Sequence, residues 1–466
     1  MSNKNNLKHK VYVIQPSYRS MDGKLLKRLP LFNFSYNLPI LSAVIPSDWE
    51  KQFCLEYCDK LDLKSDASVV ILTSTGYEVA HAIEIAEHFR SQGCTVIFGA
   101  HMDEMSDRLL RKSCDSVFLG YPNHKQMSEI LEDATSGKLR PEYDCGMNVD
   151  YPFDYSVLKG KGMWFIPMLA SIGCKNSCSY CCYTAVSAGH YRLRHISNVM
   201  EDVRAAATFR RPLGFLDANL YNNRNYLLML LEQMIEEKLN LRWGCNFTID
   251  IADDEEVLSQ LTRAGCRVMF IGLESLDSKN MLQLNKPYDP ARYLNQIRKI
   301  RKHGIMVGTY FIMGLDNDDT FSFDDVYKFY QESRVEVPYT HMFVPIPGTP
   351  LYNTIRSAGR LHTEAYDNYS TDNAAAFSVP CSVAYFQPAK MTEEELEQNY
   401  LNLNARVLTL PKILRRSLKK HFIDTSLVLG MNLEARKKYK AMQAAKLQKL
   451  NDKALHTKFH PSSLLT

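Results

Sequence analysis

Short apolar runs separated by amphipathic stretches dominate the first 150 residues. Lys10 to Gln15 and Ser68 to Thr73 are near-continuous hydrophobic runs, and Thr95 to Phe98 and Ser116 to Leu119 are shorter ones. Runs of this length predict buried parallel strands. Helical periodicity fills Val79 to Gln92, with Gly93 as a natural stop, and Met105 to Ser113. A strand–helix–strand alternation predicts a doubly wound sheet, whose ligand loops lie at the carboxyl ends of the strands. Those ends are Thr73 to Gly76 and Gly99 to Asp103. The chain has no G-x-G-x-x-G loop, so a dinucleotide site is not supported.

A polar connector containing Gly and Pro follows, from Glu142 to Gly162. Beyond it six strand-like segments recur: Met163 to Ile172, Leu213 to Leu216, Leu241 to Thr248, Arg267 to Gly272, Ile305 to Ile312 and Tyr339 to Val344. Between them lie amphipathic stretches at Val199 to Phe209, Arg224 to Lys238, Asp254 to Ala264, Pro290 to His303 and Phe323 to Ser333. Six βα units of this spacing predict a parallel barrel, shorter than the eight-fold form, with its chemistry at the strands' C-terminal ends. From about Leu361 the pattern is irregular up to Ala389, then helical. Thr392 and Glu395 have capping-box spacing, and further helices fit Pro411 to His421 and Leu433 to Asp452. The expected division is therefore 1–150, 151–360 and 361–466.

Hydrophobic residues make up 45% of the 466 and charged residues 23%, which excludes disorder, collagen and disulfide-dense scaffolds. The N-terminus has no apolar signal core, and no apolar run approaches the ~18 residues that cross a bilayer. Twelve cysteines without an export signal imply a reducing compartment, and hence a cytoplasmic protein. The net charge of +4 hides an asymmetry. From Pro411 to Thr466 there are 13 basic residues and three acidic ones, leaving 43 basic and 49 acidic residues in the rest, a net of −6. Arg415, Arg416, Lys419 and Lys420, then Arg436, Lys437, Lys438 and Lys440, read first as a solvated helical face. Their alternative role is to receive an acidic partner such as a flavodoxin-type electron donor. The aromatic–basic interleaving of a single-strand nucleic-acid reader is absent.

The sharpest chemical signal is Cys174-Lys-Asn-Ser-Cys178-Ser-Tyr-Cys181, directly after the first strand of the second region. Three thiolates in one loop converge easily, and three ligands on an iron–sulfur cubane leave one iron open. The competing reading is structural zinc, with Cys182 or His190 as fourth ligand. Asp217 and Glu274 stand at strand ends, where buried carboxylates satisfy the donors of a polar ligand. Cys245 and Cys266 read as small core residues.

This loop resembles the hallmark of the radical S-adenosylmethionine superfamily, including Tyr180 before the last cysteine. The resemblance continues through Gly214 to Asn219, Phe270 to Ser275, Val307 to Gly314 and Val344 to Tyr352. It implies a partial (β/α)6 barrel and a four-iron four-sulfur cluster on Cys174, Cys178 and Cys181. It also implies S-adenosylmethionine chelated at the open iron and cleaved to a 5′-deoxyadenosyl radical. Tyr180, Asp217, Glu274, Ser275 and Gly308 then become the expected cofactor contacts.

The first region is similar to the Rossmann-like cobalamin-binding domain that precedes many such barrels, in Asn37 to Ala43, Thr73 to Thr75, Phe98 to His101 and Asp115 to Gly120. It departs from it in two ways. No Asp-x-His-x-x-Gly lower-ligand motif is present, and Tyr121 stands where an acidic residue is usual. The function implied is cobalamin-dependent methylation of an unactivated carbon. Its rivals are a radical rearrangement, cyclisation or oxidation without cobalamin, and a non-catalytic metal-binding docking protein. The substrate is not legible in the sequence.

Overall fold

A computed structural model of the chain describes residues 9–18, 25, 36–73, 78–99, 104–147, 149–183, 190–364, 383–418 and 421–458. The first region forms a six-stranded parallel sheet from β1 (His9–Gln15), β2 (Trp49–Leu55), β3 (Val69–Thr73), β4 (Thr95–Gly99), β5 (Ser116–Tyr121) and β6 (Glu142–Met147). Its order is β2-β1-β3-β4-β5-β6. Helices α1 (Asn37–Val44), α2 (Val79–Ser91), α3 (Glu104–Leu110) and α4 (His124–Ser136) connect them. Strand alternation divides the apolar side chains between two faces. Val11, Val13, Val69, Ile71 and Phe118 pack with Leu38 and Leu41 of α1 and Ile130 and Leu131 of α4. Tyr12, Ile14, Val70, Leu72 and Phe98 pack with Val79, Ile83 and Phe89 of α2.

The four strands expected from the sequence are the inner ones. Both edge strands, β2 and β6, are read only from the structure, because each alternates polar and apolar residues or is mostly half-buried. The segment expected as a connector from Glu142 thus begins as a strand. The expected loop segments 74–76 and 100–103 lie outside the described residues.

The second region contains β7 (Ile166–Met168), β8 (Ser171–Gly173), β9 (Tyr191–Leu193), β10 (Leu213–Phe215), β11 (Trp243–Phe247), β12 (Cys266–Glu274), β13 (Met306–Met313) and β14 (Val337–Met342). Its helices are α5 (Ile196–Ala207), α6 (Arg224–Glu236), α7 (Glu255–Arg263), α8 (Ser278–Gln283), α9 (Tyr293–Lys302), α10 (Ser322–Ser333) and α11 (Pro350–Ser357). Six strands form a parallel sheet in the order β7-β10-β11-β12-β13-β14. The expected first strand, Met163 to Ile172, is broken in two. Asp217 takes the backbone N–H groups of Ala170 (3.1 Å) and Ser171 (2.5 Å), which draws the chain out of the ladder. The released piece, β8, pairs antiparallel with β9.

The connector is fastened by Arg194. Its guanidinium donates to the carbonyls of Val149, Tyr151 and Leu169 and meets Asp202 at 2.7 Å. Asp202 also accepts from Phe153 N, and burial pushes its carboxyl up to about 6.

The C-terminal region comprises α12 (Glu393–Val407), α13 (Leu410–Ser417) and α14 (Phe422–Lys458). The capping box at Thr392 and Glu395 is present. Helix α14 starts eleven residues before the expected Leu433, because Val428 and Met431 pack against Val268, Met306, Val337 and Tyr339 of the sheet. Asn432 donates to the Glu336 carbonyl at 3.0 Å. Helix α14 therefore covers the inner face of the second sheet, the face turned away from α5 to α10. The basic block is not simply a solvated face. Arg416 bridges the Val407 carbonyl and Asn432, and burial lowers it to about 10, while burial also lowers Lys438. Arg415, Lys437 and Lys440 are exposed, and Lys419 and Lys420 lie outside the described residues. No helix among the described residues is long and apolar enough to cross a membrane.

Candidate active site

The cysteine loop starts where β8 ends. Gly173 has φ +79°, and a Cβ there would lie 1.8 Å from the His190 carbonyl oxygen, so only glycine lets the loop leave this hairpin. The loop's far side is gripped by its neighbours. Ser179 N donates to the Leu284 carbonyl (3.1 Å) and Ser179 Oγ to the Gln283 carbonyl (2.7 Å), while Asn285 donates to the Ser177 carbonyl (2.9 Å). Leu351 N donates to the Ser179 carbonyl at 2.8 Å, which ties in α11.

Held this way, Cys174, Cys178 and Cys181 all line one cavity of about 240 Å³ at the C-terminal end of the second sheet. Tyr180, Asn219, Glu274, Lys286 and Tyr310 share its wall. Burial pushes the Cys178 thiol up to about 11, helped by the neighbouring charges of Cys181, Glu274 and Cys174 and opposed by Lys286. Asn222 donates to Cys174 Sγ at 3.4 Å and is itself oriented by Asn219 (3.0 Å). Cys182 and His190, the zinc reading's fourth ligands, are not among the lining residues. Among the described residues no three His, Cys, Asp or Glu side chains form a single-ion cage. Three thiols spread around one cavity suit a cluster held at three corners.

Glu274 ends β12 in a left-handed backbone conformation (φ +63°), a strain costing about 1–3 kcal/mol that the surroundings must hold in place. Its Oε1 lies 2.6 Å from Lys286 Nζ, and both side chains are 7% exposed. Lys286 also donates to the Gly272 carbonyl at 2.8 Å. A Cβ on Gly272 would sit 2.1 Å from Glu274 Oε1 and 2.7 Å from Lys286 Nζ, so the glycine makes room for the pair. Burial works to lower Lys286, yet the carboxylate and its hydrogen bond hold it above the ordinary lysine value. The Tyr180 hydroxyl is pushed far up, by burial first and then by Glu274. Carboxylate, ammonium and phenol thus form one buried group beside the thiols.

Three expected contacts do not reach the cavity wall. The Asp217 carboxylate is taken by Ala170 N, Ser171 N and Ser171 Oγ (2.6 Å), and burial still raises it to about 6. Its neighbours Ala218 and Asn219 line the cavity instead. Ser275 Oγ accepts from Asp277 N and Asn280 Nδ2, at the start of α8. Gly308 admits the Phe270 ring, which would meet an added Cβ at 2.5 Å, and Phe270 is the lining residue. Sequence reasoning missed Lys286 and Asn222. Neither belongs to a spaced motif, and only the folded loops bring them in.

At the first sheet, strand order reverses between β1 and β3, which opens a crevice beyond their carboxyl ends. Gln15 Oε1 and Thr73 Oγ1 stand there, buried and without a hydrogen-bond partner among the described residues. Nearby, Glu56 accepts from Ser17 N (2.8 Å), and His81 lies between Glu56 (3.0 Å) and Glu84 (2.8 Å). Tyr121 donates to Asn37 Oδ1 at 3.3 Å and is pushed well up by burial.

Residues 168–330 match the Radical SAM superfamily model. The chain is 28% identical over 366 residues to bacteriochlorophyllide d C-12(1)-methyltransferase of Chlorobaculum tepidum, covering 76% of this chain and 77% of that one. Its fold is similar to that of the radical S-adenosylmethionine methyltransferase TsrM from Kitasatospora setae, solved with cobalamin and a [4Fe-4S] cluster, with a TM-score of 0.62 at 14% identity over 75% of this chain and 78% of that one. It is also similar to the cobalamin-dependent S-adenosylmethionine radical enzyme OxsB, solved with aqua-cobalamin and S-adenosylmethionine, with a TM-score of 0.63 at 11% identity over 92% of this chain and 72% of that one. At these identities the two structures establish likeness of fold. Taken with the three thiols around one cavity, the match makes residues 168–330 a Radical SAM domain, in a chain homologous to methyltransferases.

Proposed function

We propose that the protein methylates an unactivated carbon with the help of cobalamin. The observation that carries the reading is the single cavity at which Cys174, Cys178 and Cys181 meet the Glu274–Lys286–Tyr180 group. The thiols would hold the cluster, and Asn222 donates to one of the sulfurs, a bond that tunes such a centre's potential. Glu274 and Lys286 offer an acceptor and a donor of fixed geometry to the amino-acid and ribose groups of S-adenosylmethionine. Asp217, Ser275 and Gly308 position this wall through residues 170–171, α8 and Phe270. When bound, cluster and S-adenosylmethionine supply a 5′-deoxyadenosyl radical for hydrogen abstraction, and methylcobalamin supplies the methyl group.

Cobalamin is assigned to residues 1–150, the radical chemistry to 151–360, and closure of the inner face to 361–466. Two features support the first of these. Gln15 and Thr73 present orphaned polar atoms to a strand-end crevice, and the methyltransferase relative covers most of the chain. Without an Asp-x-His-x-x-Gly motif, the chain supplies no histidine lower ligand of the usual kind.

The test is anaerobic reconstitution with iron, sulfide and cobalamin, followed by desalting. Retained corrinoid absorbance, together with S-adenosylhomocysteine formed alongside 5′-deoxyadenosine, is the expected outcome. 5′-Deoxyadenosine alone, with no corrinoid retained, defeats the methylation reading and leaves radical rearrangement, cyclisation or oxidation.

A further inference from the structure

A second cavity, of about 220 Å³, lies on the inner face of the second sheet, between the strands' N-terminal halves and the first turns of α14. Its wall is apolar for most of its length, with Phe165, Leu216, Val268, Leu427 and Met431 contributing. Two features set it apart from a packing defect. Asn246, Phe270 and Tyr310 line both this cavity and the one holding the cysteines, so the two spaces meet across three shared side chains. At the opposite end stand Arg242 and Arg267 with Asp424 and Ile423. Arg242 is paired with Asp424 at 2.8 Å. Arg267 Nε is buried and has no hydrogen-bond partner among the described residues. This end is thus lined by two guanidiniums and one carboxylate, which is paired with Arg242, and leaving the buried Arg267 N–H unsatisfied is costly. The arrangement lacks one anion at the arginine end and apolar atoms along the rest.

We propose that this chamber binds one elongated amphiphile, a single apolar chain ending in a carboxylate. The carboxylate takes Arg267 and Arg242, the geometry in which guanidinium and carboxylate bond in parallel pairs. The chain runs along Phe165 and Val268, and its far end meets Asn246, Phe270 and Tyr310 at the edge of the cysteine cavity. Scaled from a 150 Å³ cavity that accepts benzene, the volume suits a chain of roughly nine carbons. Binding of such a molecule stands on the chamber alone. Its identification as the methyl acceptor rests on the proposed function, and places the attacked carbon far from the acidic end.

The experiment is calorimetric titration of the anaerobic full-length holoprotein with decanoate, decanol and decylammonium. It is paired with quenching of tryptophan fluorescence by 10-bromodecanoate in the wild type and in Trp243→Phe. One decanoate per chain is expected, with decanol at least tenfold weaker and decylammonium not bound. Quenching should fall in Trp243→Phe. Arg267→Gln should weaken decanoate at least tenfold, and Ile423→Phe, at the half-exposed mouth, should weaken it independently. Equal binding of decanol and decanoate overturns the anionic end. Unchanged affinity in both variants overturns the location, and no binding by any probe overturns the site, as when the chain itself fills the space. Saturable decanoate binding by protein that forms no S-adenosylhomocysteine leaves the chamber standing and removes only its role as acceptor site.

Discussion

The two parallel sheets differ in how their faces are covered. In the first, helices α1 and α4 seal one face and α2 seals the other, so side chains from both faces of β1, β3 and β4 disappear into apolar cores. Only the strand ends remain for a ligand, and the orphaned Gln15 and Thr73 sit there. In the second sheet, α5 to α10 seal one face, while the other is covered by α14 and two cavities. A sheet closed on both sides can bind only at its rim, whereas one closed on a single side keeps an interior. Such an interior can desolvate thiols, a carboxylate and an ammonium together, which strengthens every electrostatic contact among them.

The largest expected effect separates these two designs directly. Cys178→Ala should lower bound iron and 5′-deoxyadenosine formation on the order of 100-fold or more, since even outer partners of a metal ligand are worth about 10- to 100-fold. Iron analysis and product chromatography read this out. Phe98→Ala, buried in the first sheet's core, should instead cost about 3–5 kcal/mol of stability, with iron per folded chain unchanged. Loss of iron in that variant would mean that the two sheets are not separable.

The Glu274–Lys286 pair sharpens the contrast further. Glu274→Gln leaves an uncompensated buried ammonium and should destabilise the chain by about 3–5 kcal/mol. Glu274→Gln combined with Lys286→Met should recover most of that loss in a urea titration. If the pair serves the cofactor, S-adenosylmethionine binding stays weak in the double variant. Recovered binding would make the pair structural. A smaller change is expected at Asn222→Leu, which removes the hydrogen bond to Cys174 while sparing all three ligands. Cluster affinity should fall about tenfold, or the reduction potential should shift.

The smallest effect lies at the first sheet's rim. His81 is lowered by burial, but the hydrogen bonds and charges of Glu56 and Glu84 raise it above its ordinary value. Its contribution to stability is therefore complete below about pH 6.5. It is lost as the pH climbs through the raised folded value, when the proton leaves and Glu56 stays buried. Urea midpoints across this range should decline on the alkaline side, and His81→Gln should flatten the decline.

Much of this organisation was written in local pattern. The inner strands β3 and β4 are unbroken apolar runs, and amphipathic α7 and α9 announce their buried stripes, because burial on two faces or one leaves a direct periodic trace. Edge strands β2 and β6 left none, since solvent on one side lets polar residues stand anywhere. The spacing of Cys174, Cys178 and Cys181 singled out one loop, and the strand-end position singled out Glu274; all four line one cavity. Asp217 carried the same strand-end signal yet serves the backbone at residues 170–171.

By itself the sequence determined the alternation of strands and helices, the three thiols in one loop and the charge imbalance of the tail, because each depends on neighbours along the chain. Only tertiary structure decided that Lys286 pairs with Glu274, that Asn222 reaches Cys174, and that α14 closes over an apolar chamber. Those contacts join residues 12, 48 and more than 100 positions apart. Their energy comes from removing both partners from water at once, which no local pattern records.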